Sequence, residues 1–309
     1  MIKRRELLKG LSATAGAFLL PRLIEGKTTN KLANTFSYCL NMATIRGHNL
    51  GFIKELEVAA GAGFKGVEIW IDSLQAYLNK GGSLSDAKKR IDNLGLRVEN
   101  AIGFAKWIAE DEAQRKQGLE QLKREMDMLA QIGCKRIAAP PAGATDAPLL
   151  ELKRVAERYR TILELGDKTG VVPQLEMWGF SKNLSRVSEV MYAALESNHP
   201  AAKVLLDVFH IYKGGSGIDT LSLVSKTAIE ILHLNDYPPN LPASSITDAD
   251  RIYPGDGVAP VRRILQILGD ENKPLVISLE VFNKNYYKLD PLEVAKTALR
   301  KMKAVTAGV

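Results

Sequence analysis

The sequence predicts an α/β chain folded as one (β/α)8 TIM barrel, and three observations predict it. Eight short apolar runs alternate with longer segments of helical spacing. Four of those helical segments are followed by a glycine, the residue that a left-handed helix cap favours. Four successive late runs end on or beside a metal-ligating side chain, at the rim where a barrel carries its chemistry.

The strand candidates are Phe36–Leu40, Gly66–Trp70, Arg97–Ile102, Arg136–Ala139, Val172–Glu176, Lys203–Asp207, Ile229–Leu234 and Leu275–Glu280. Between them lie helical patterns such as Ile53–Ala62, Asp111–Ile132, Leu149–Lys168 and Leu184–Glu196, long enough to cross over between parallel strands. Gly63, Gly95, Gly133 and Gly170 follow helices. Eight repeats in roughly 280 residues match one barrel. A doubly wound open sheet would want a glycine fingerprint after its first strand. Phe36-Ser-Tyr-Cys-Leu-Asn-Met-Ala-Thr44 has none, and no P-loop occurs.

Residues 1–30 are set apart from this fold, and 31–309 are expected to be the single barrel domain. Lys3-Arg4-Arg5-Glu6-Leu7-Leu8-Lys9 precedes the mildly apolar run from Gly10 to Leu20. The pattern resembles a bacterial twin-arginine export signal, although no small-x-small cleavage site follows. It implies a periplasmic or exported protein that crosses the membrane already folded; without export the protein is cytoplasmic.

The formal charge of +7 invites a nucleic-acid reading, but much of it lies in residues 1–27, where six cations face only Glu6 and Glu25. The remainder is a mildly basic surface, and no nucleic-acid partner is expected. Beyond the N-terminus no apolar run reaches the roughly 20 residues of a membrane span. Cys39 and Cys134 lack metal-type spacing and read as buried thiols, with a disulfide as the alternative in an exported protein.

The strand ends carry the chemistry. The fifth strand ends on Glu176 and the sixth on Asp207, with His210 three residues later; the seventh carries His233, and the eighth ends on Glu280. A charge directly after an apolar run is costly without a partner. Three carboxylates and an imidazole on four successive strands suit one divalent metal: Mn, Co, Zn or Mg.

At these residues the chain resembles the xylose isomerase-like sugar phosphate isomerase/epimerase superfamily, and within it the 2-keto-myo-inositol (inosose) isomerases. The stretches that carry the resemblance are LDVFHIYKGG at 206–215, HLNDYPPN at 233–240, TDADRIYPGDG at 247–257, SLEVFNKNYYKL at 278–289 and VEIWIDSLQAYL at 67–78. The resemblance implies that Glu176, Asp207, His233 and Glu280 bind the metal and that His210 contacts substrate hydroxyls. Arg251 is expected either to hold substrate or to pin its loop through Asp248 or Asp256. Gly255 and Gly257 are expected to serve that loop's turn through positive φ. Glu68, Trp70, Phe104, Lys106, Trp107 and Trp178 are candidate pocket walls, with core packing an equal account of them. His199, beside Pro200, reads as surface.

The chemistry so implied is proton transfer next to a ketone through a cis-enediolate, with Glu176 and Glu280 as the proton-transfer groups. The outcome is isomerisation or epimerisation of an inosose or ketose. Loss of a β-hydroxyl from the same enediolate is the dehydratase alternative, on a keto-inositol or 3-keto-glycoside. A nuclease of this fold needs additional histidines; this chain has four in all and reads Asp250-Arg251-Ile252 where the nuclease pattern ends in histidine. No glycine-rich cradle for a substrate phosphate is visible. A homodimer is compatible with such a barrel, though no sequence feature fixes it.

Overall fold

The computed structural model describes residues 35–309; residues 1–30, where the sequence leads one to expect an export signal, lie outside the described residues. Eight parallel strands are β1 Phe36–Asn41, β2 Gly66–Trp70, β3 Arg97–Ile102, β4 Arg136–Ala139, β5 Val172–Glu176, β6 Val204–Asp207, β7 Ile229–Leu234 and β8 Leu275–Leu279. They hydrogen-bond in the order β3-β2-β1-β8-β7-β6-β5-β4. The two end strands pack against each other across a seam, where Arg136 Nη1 of β4 donates to the Glu99 carbonyl of β3 at 2.9 Å. The barrel is therefore nearly closed, and its centre is filled by side chains.

Around it run α1 Phe52–Gly61, α2 Ile71–Asn79, α3 Leu84–Asn93, α4 Glu112–Gln131, α5 Leu152–Thr169, α6 Val187–Glu196, α7 Val208–Lys213, α8 Val261–Leu268 and α9 Pro291–Thr306. Local chemistry sets their starts: Ser83, Asp111 and Asp290 cap α3, α4 and α9 by accepting from backbone N–H groups of the first turn. Leu184 has φ +58°, so the sixth helix begins at Val187 rather than where the apolar pattern begins. Likewise Leu150 N–H is held by Asn183 Oδ1 at 2.8 Å, which keeps 149–151 in the loop and starts α5 at Leu152.

Gly63, Gly95, Gly133 and Gly170 all have positive φ, as their positions after helices predict. Both cysteines are free and buried. Burial pushes both thiols up, Cys134 to about 12. No helix among the described residues is long and apolar enough to cross a membrane.

Candidate metal and substrate site

The four strand-end residues meet at one mouth. Glu176 and Asp207 close β5 and β6, His233 is the penultimate residue of β7, and Glu280 is the first residue after β8. His233 Nδ1 faces Glu280 Oε2 at 3.3 Å, Asp207 Oδ2 at 3.7 Å and Glu176 Oε1 at 3.8 Å. Ligand atoms of Asp207, His233 and Glu280 all lie within 4.8 Å of one another. Nδ1 and Glu176 Oε2 are buried without a hydrogen-bond partner. An imidazole nitrogen converging with three carboxylate oxygens is a donor set that fits one divalent cation.

Glu68 proves to be a support for this set rather than a wall of the cavity. Fully buried on β2, its carboxylate accepts from Asn41 Nδ2, Asn100 Nδ2 and Ser278 Oγ, each at 2.7 Å, and pairs with His233 Nε2 at 3.0 Å. Holding Nε2–H leaves Nδ1 to face the carboxylates. Burial alone would raise the Glu68 carboxyl, but His233 and these donors hold it below its ordinary value. The same partnership works in reverse: burial would lower His233, yet Glu68 and Glu280 hold it well above.

The carboxylates differ in environment. Burial pushes Glu176 up to about 8, against the pull of His233. Glu280 is equally buried but is held down by His233 and Arg251. Asp207 is positioned by Asn235, whose Nδ2 donates to both of its oxygens at 3.2 and 3.1 Å, and it caps α7 through His210 N–H at 3.0 Å.

Arg251 is buried and lies against this spot. Nη1 donates to Asp207 Oδ2 and Glu280 Oε2, while Nη2 donates to Asp248 Oδ1 at 2.6 Å and meets His210 Nε2 at 3.1 Å. Asp248, not Asp256, is thus its partner in the loop. A guanidinium only donates, so Nε2 of His210 accepts and its proton sits on Nδ1. Burial lowers His210 to about 3, which keeps the ring neutral.

A cavity of about 180 Å³ opens above the carboxylates, lined by Trp70, Ile102, Phe104, Glu176, Trp178, Phe180, His210, Asp248, Arg251, Glu280 and Phe282. His210, Arg251 and Trp178 all belong to this lining. Lys106 does not: it is exposed and outside this lining. Trp107 is core, its Nε1 donating to the Pro140 carbonyl at 2.8 Å. Sequence reasoning missed Phe180, Phe282 and the polar supports Asn41, Asn100, Asn235 and Ser278.

Two smaller expectations are also corrected. The His199 side chain is only 7% exposed and pairs with Asp167. Gly255 has φ +87°, but Gly257 lacks positive φ; its constraint is space, because a Cβ there would collide with the Tyr237 carbonyl and the Asp236 carboxylate.

Comparison with known proteins agrees with this geometry. The chain is 29% identical over 267 residues to the inosose isomerase of Halalkalibacterium halodurans, covering 84% of this chain and 93% of that one. It is 22% identical over 252 residues to a 3-dehydroshikimate dehydratase of Pseudomonas putida, covering 81% of this chain and 39% of that one. Among solved structures, the IOLI protein with a bound zinc atom superposes with a TM-score of 0.82 at 24% identity, covering 88% of this chain and 98% of that one. Residues 56–305 match the model of one family. The chain belongs to the xylose isomerase-like TIM barrel family.

Proposed function

We propose that the protein is a divalent-metal-dependent isomerase or epimerase of a polyhydroxy ketone, an inosose or a ketose. The convergence of His233 Nδ1 with Glu176, Asp207 and Glu280 carries this reading, supported by the inosose isomerase relative. A divalent cation held by those four residues supplies Lewis-acid stabilisation of negative charge developing on the substrate oxygens.

The chain's own groups divide the remaining work. Glu176 and Glu280 flank the site on different strands, and each is suited to take or return a carbon-bound proton beside the ketone. Glu176 lies in the less charge-compensated environment, whereas Glu280 faces Arg251. Arg251 and neutral His210 orient substrate oxygens at the cavity wall, and the buried setting of the carboxylates limits competing water. Proton removal gives a cis-enediolate. Return to the neighbouring carbon is isomerisation, and return to the opposite face of the same carbon is epimerisation.

The dehydratase relative favours a second reading, loss of a β-hydroxyl from the same enediolate of a keto-inositol or 3-keto-glycoside. Turnover in deuterated water, with inososes, ketohexoses and 3-keto-glycosides and with Mn, Co and Zn in turn, separates the two. Deuterium incorporation without loss of water is expected; water loss assigns the lyase. No turnover of any ketone with any metal overturns both. Export through Arg4-Arg5 belongs to the same proposal: changing both arginines to lysine is expected to retain the protein in the cytoplasm.

A further inference from the structure

The cavity's aromatic lining forms a continuous chain of rings, two of them exposed. Trp70 lies 5.4 Å from Phe104 and 6.1 Å from Phe282, centroid to centroid; Phe104 lies 6.1 Å from Trp178, and Trp178 lies 5.2 Å from Phe180. Trp70 is buried and Trp178 and Phe282 are half-buried, but Phe104 and Phe180 remain 43% and 42% exposed. Apolar residues exposed singly need no explanation. These two flank the same tryptophan and line the same cavity.

Their exposure is also not a product of loose loops. The loop carrying Trp178 and Phe180 is tied to residues 144–150: Asn183 Nδ2 donates to the Ala144 carbonyl at 2.8 Å, and Lys182 N–H donates to the Thr145 carbonyl at 2.8 Å. The loop carrying Phe104 is tied beside it through Trp107 and Pro140. Gly179 lets the backbone between the two aromatics approach the His210 carbonyl and Gly214 N more closely than a Cβ would allow. Two aromatic faces are held ready at the rim.

The cavity they line, about 180 Å³, is small against the 300–1,000 Å³ usual for drug-sized ligands. Phe104 and Phe180 line the solvent side of that cavity and keep more than two-fifths of their surface exposed beyond it. We propose that these two residues form an outer subsite for an uncharged substituent with a flat apolar face, an aryl group or the C–H face of a second sugar, attached to the reacting ring. The substrate class is then a substituted keto-ring rather than a bare one. This rests on the reading of the cavity as the site of a polyhydroxy ketone.

The test compares one keto-ring in four forms, free and as its methyl, phenyl and glucosyl ethers, with the metal-loaded protein. Dissociation constants are measured by calorimetry alongside kcat/KM. The phenyl or glucosyl form is expected to bind roughly tenfold more tightly than the methyl form, the size two aromatic contacts predict. That ratio should collapse toward unity in F104A/F180A and stay intermediate in F104L/F180L, and which ether shows it identifies the source of the flat face. Equal binding of the methyl, phenyl and glucosyl forms overturns the subsite, as does a preference that survives in F104A/F180A. Loss of a dimer in the double variant, with no substituent preference in the wild type, reassigns the rim to a second copy of the chain. Absence of turnover with the substituent preference intact overturns the function reading and leaves the subsite standing.

Discussion

Arg251 donates one guanidinium nitrogen, Nη1, to Glu280 Oε2 at 2.7 Å, and the same nitrogen reaches Asp207 Oδ2 at 2.8 Å. These are the two oxygens that lie 3.3 and 3.7 Å from His233 Nδ1. Arg251 therefore compensates the charge of two of the candidate metal ligands, and its effect on stability should depend on metal.

Arg251→Met leaves two buried carboxylates without their cation, a change that typically costs 3–5 kcal/mol. Without metal the variant should lose about 3 kcal/mol, a fall of several degrees in Tm. Mn or Zn should then raise the variant's Tm by more than it raises the wild type's. Thermal unfolding in chelator and in metal checks this; equal gains would remove the coupling.

Glu68→Gln tests the support beneath the site. The Glu68 carboxylate meets four donors, whereas an amide turns one accepting oxygen into a donor that opposes them. His233 then loses the partner that orients its ring. Metal affinity should fall about 10- to 100-fold, as for other carboxylate–histidine supports, measured by competition with a chromogenic chelator. Unchanged affinity would mean that the ring is oriented by packing alone.

These two residues also mark what the sequence discloses. Glu176, Asp207, His233 and Glu280 are legible because each follows an apolar run that leaves it at a strand end. The supports are not: Asn41, Asn100 and Ser278 are far apart in sequence, and only the strand order β3-β2-β1-β8 brings them onto the Glu68 carboxylate, which reads as a pocket wall. Lys106 reads as mouth-facing because it follows β3, but the buried Trp107 beside it fixes the turn with Lys106 outward. Residues 71–93 hold two helices, split at Gly81-Gly82, where a barrel repeat ordinarily has one.

Glu125 should make stability depend on pH. It is buried on α4; Oε1 accepts from Gln121 at 2.7 Å and Oε2 has no partner. Burial raises its carboxyl above the ordinary value. An acid raised in the folded state favours folding when protonated, so its cost is absent below the unfolded value of about 4.3 and grows as pH rises through the folded value. Glu125→Gln should match the wild type near pH 4 and be the more stable of the two at pH 8. Urea denaturation at the two pH values checks the sign; a variant less stable at pH 8 contradicts it.

Asp236 controls where Arg251 sits. Its buried carboxylate accepts from the N–H groups of Tyr237, Gly255, Gly257 and Ala259 at 2.8–3.0 Å, and its backbone pairs with Ile252 in an antiparallel bridge. One side chain thus closes the 247–257 loop, and the residue next to the bridge is Arg251. Asp236→Ala strands several donors, each costing about 1–3 kcal/mol where it stays buried, so the loop should open rather than retain them. Gly257→Ala reaches the same end by collision with that carboxylate, while Gly255→Ala strains a positive φ. Wild-type Arg251 is 1% exposed and should resist trypsin, whereas Asp236→Ala and Gly257→Ala should be cut after it. Intact chains under conditions that leave the rest of the barrel folded would show that Arg251 is held by Asp207 and Glu280 alone, and that the loop follows the guanidinium.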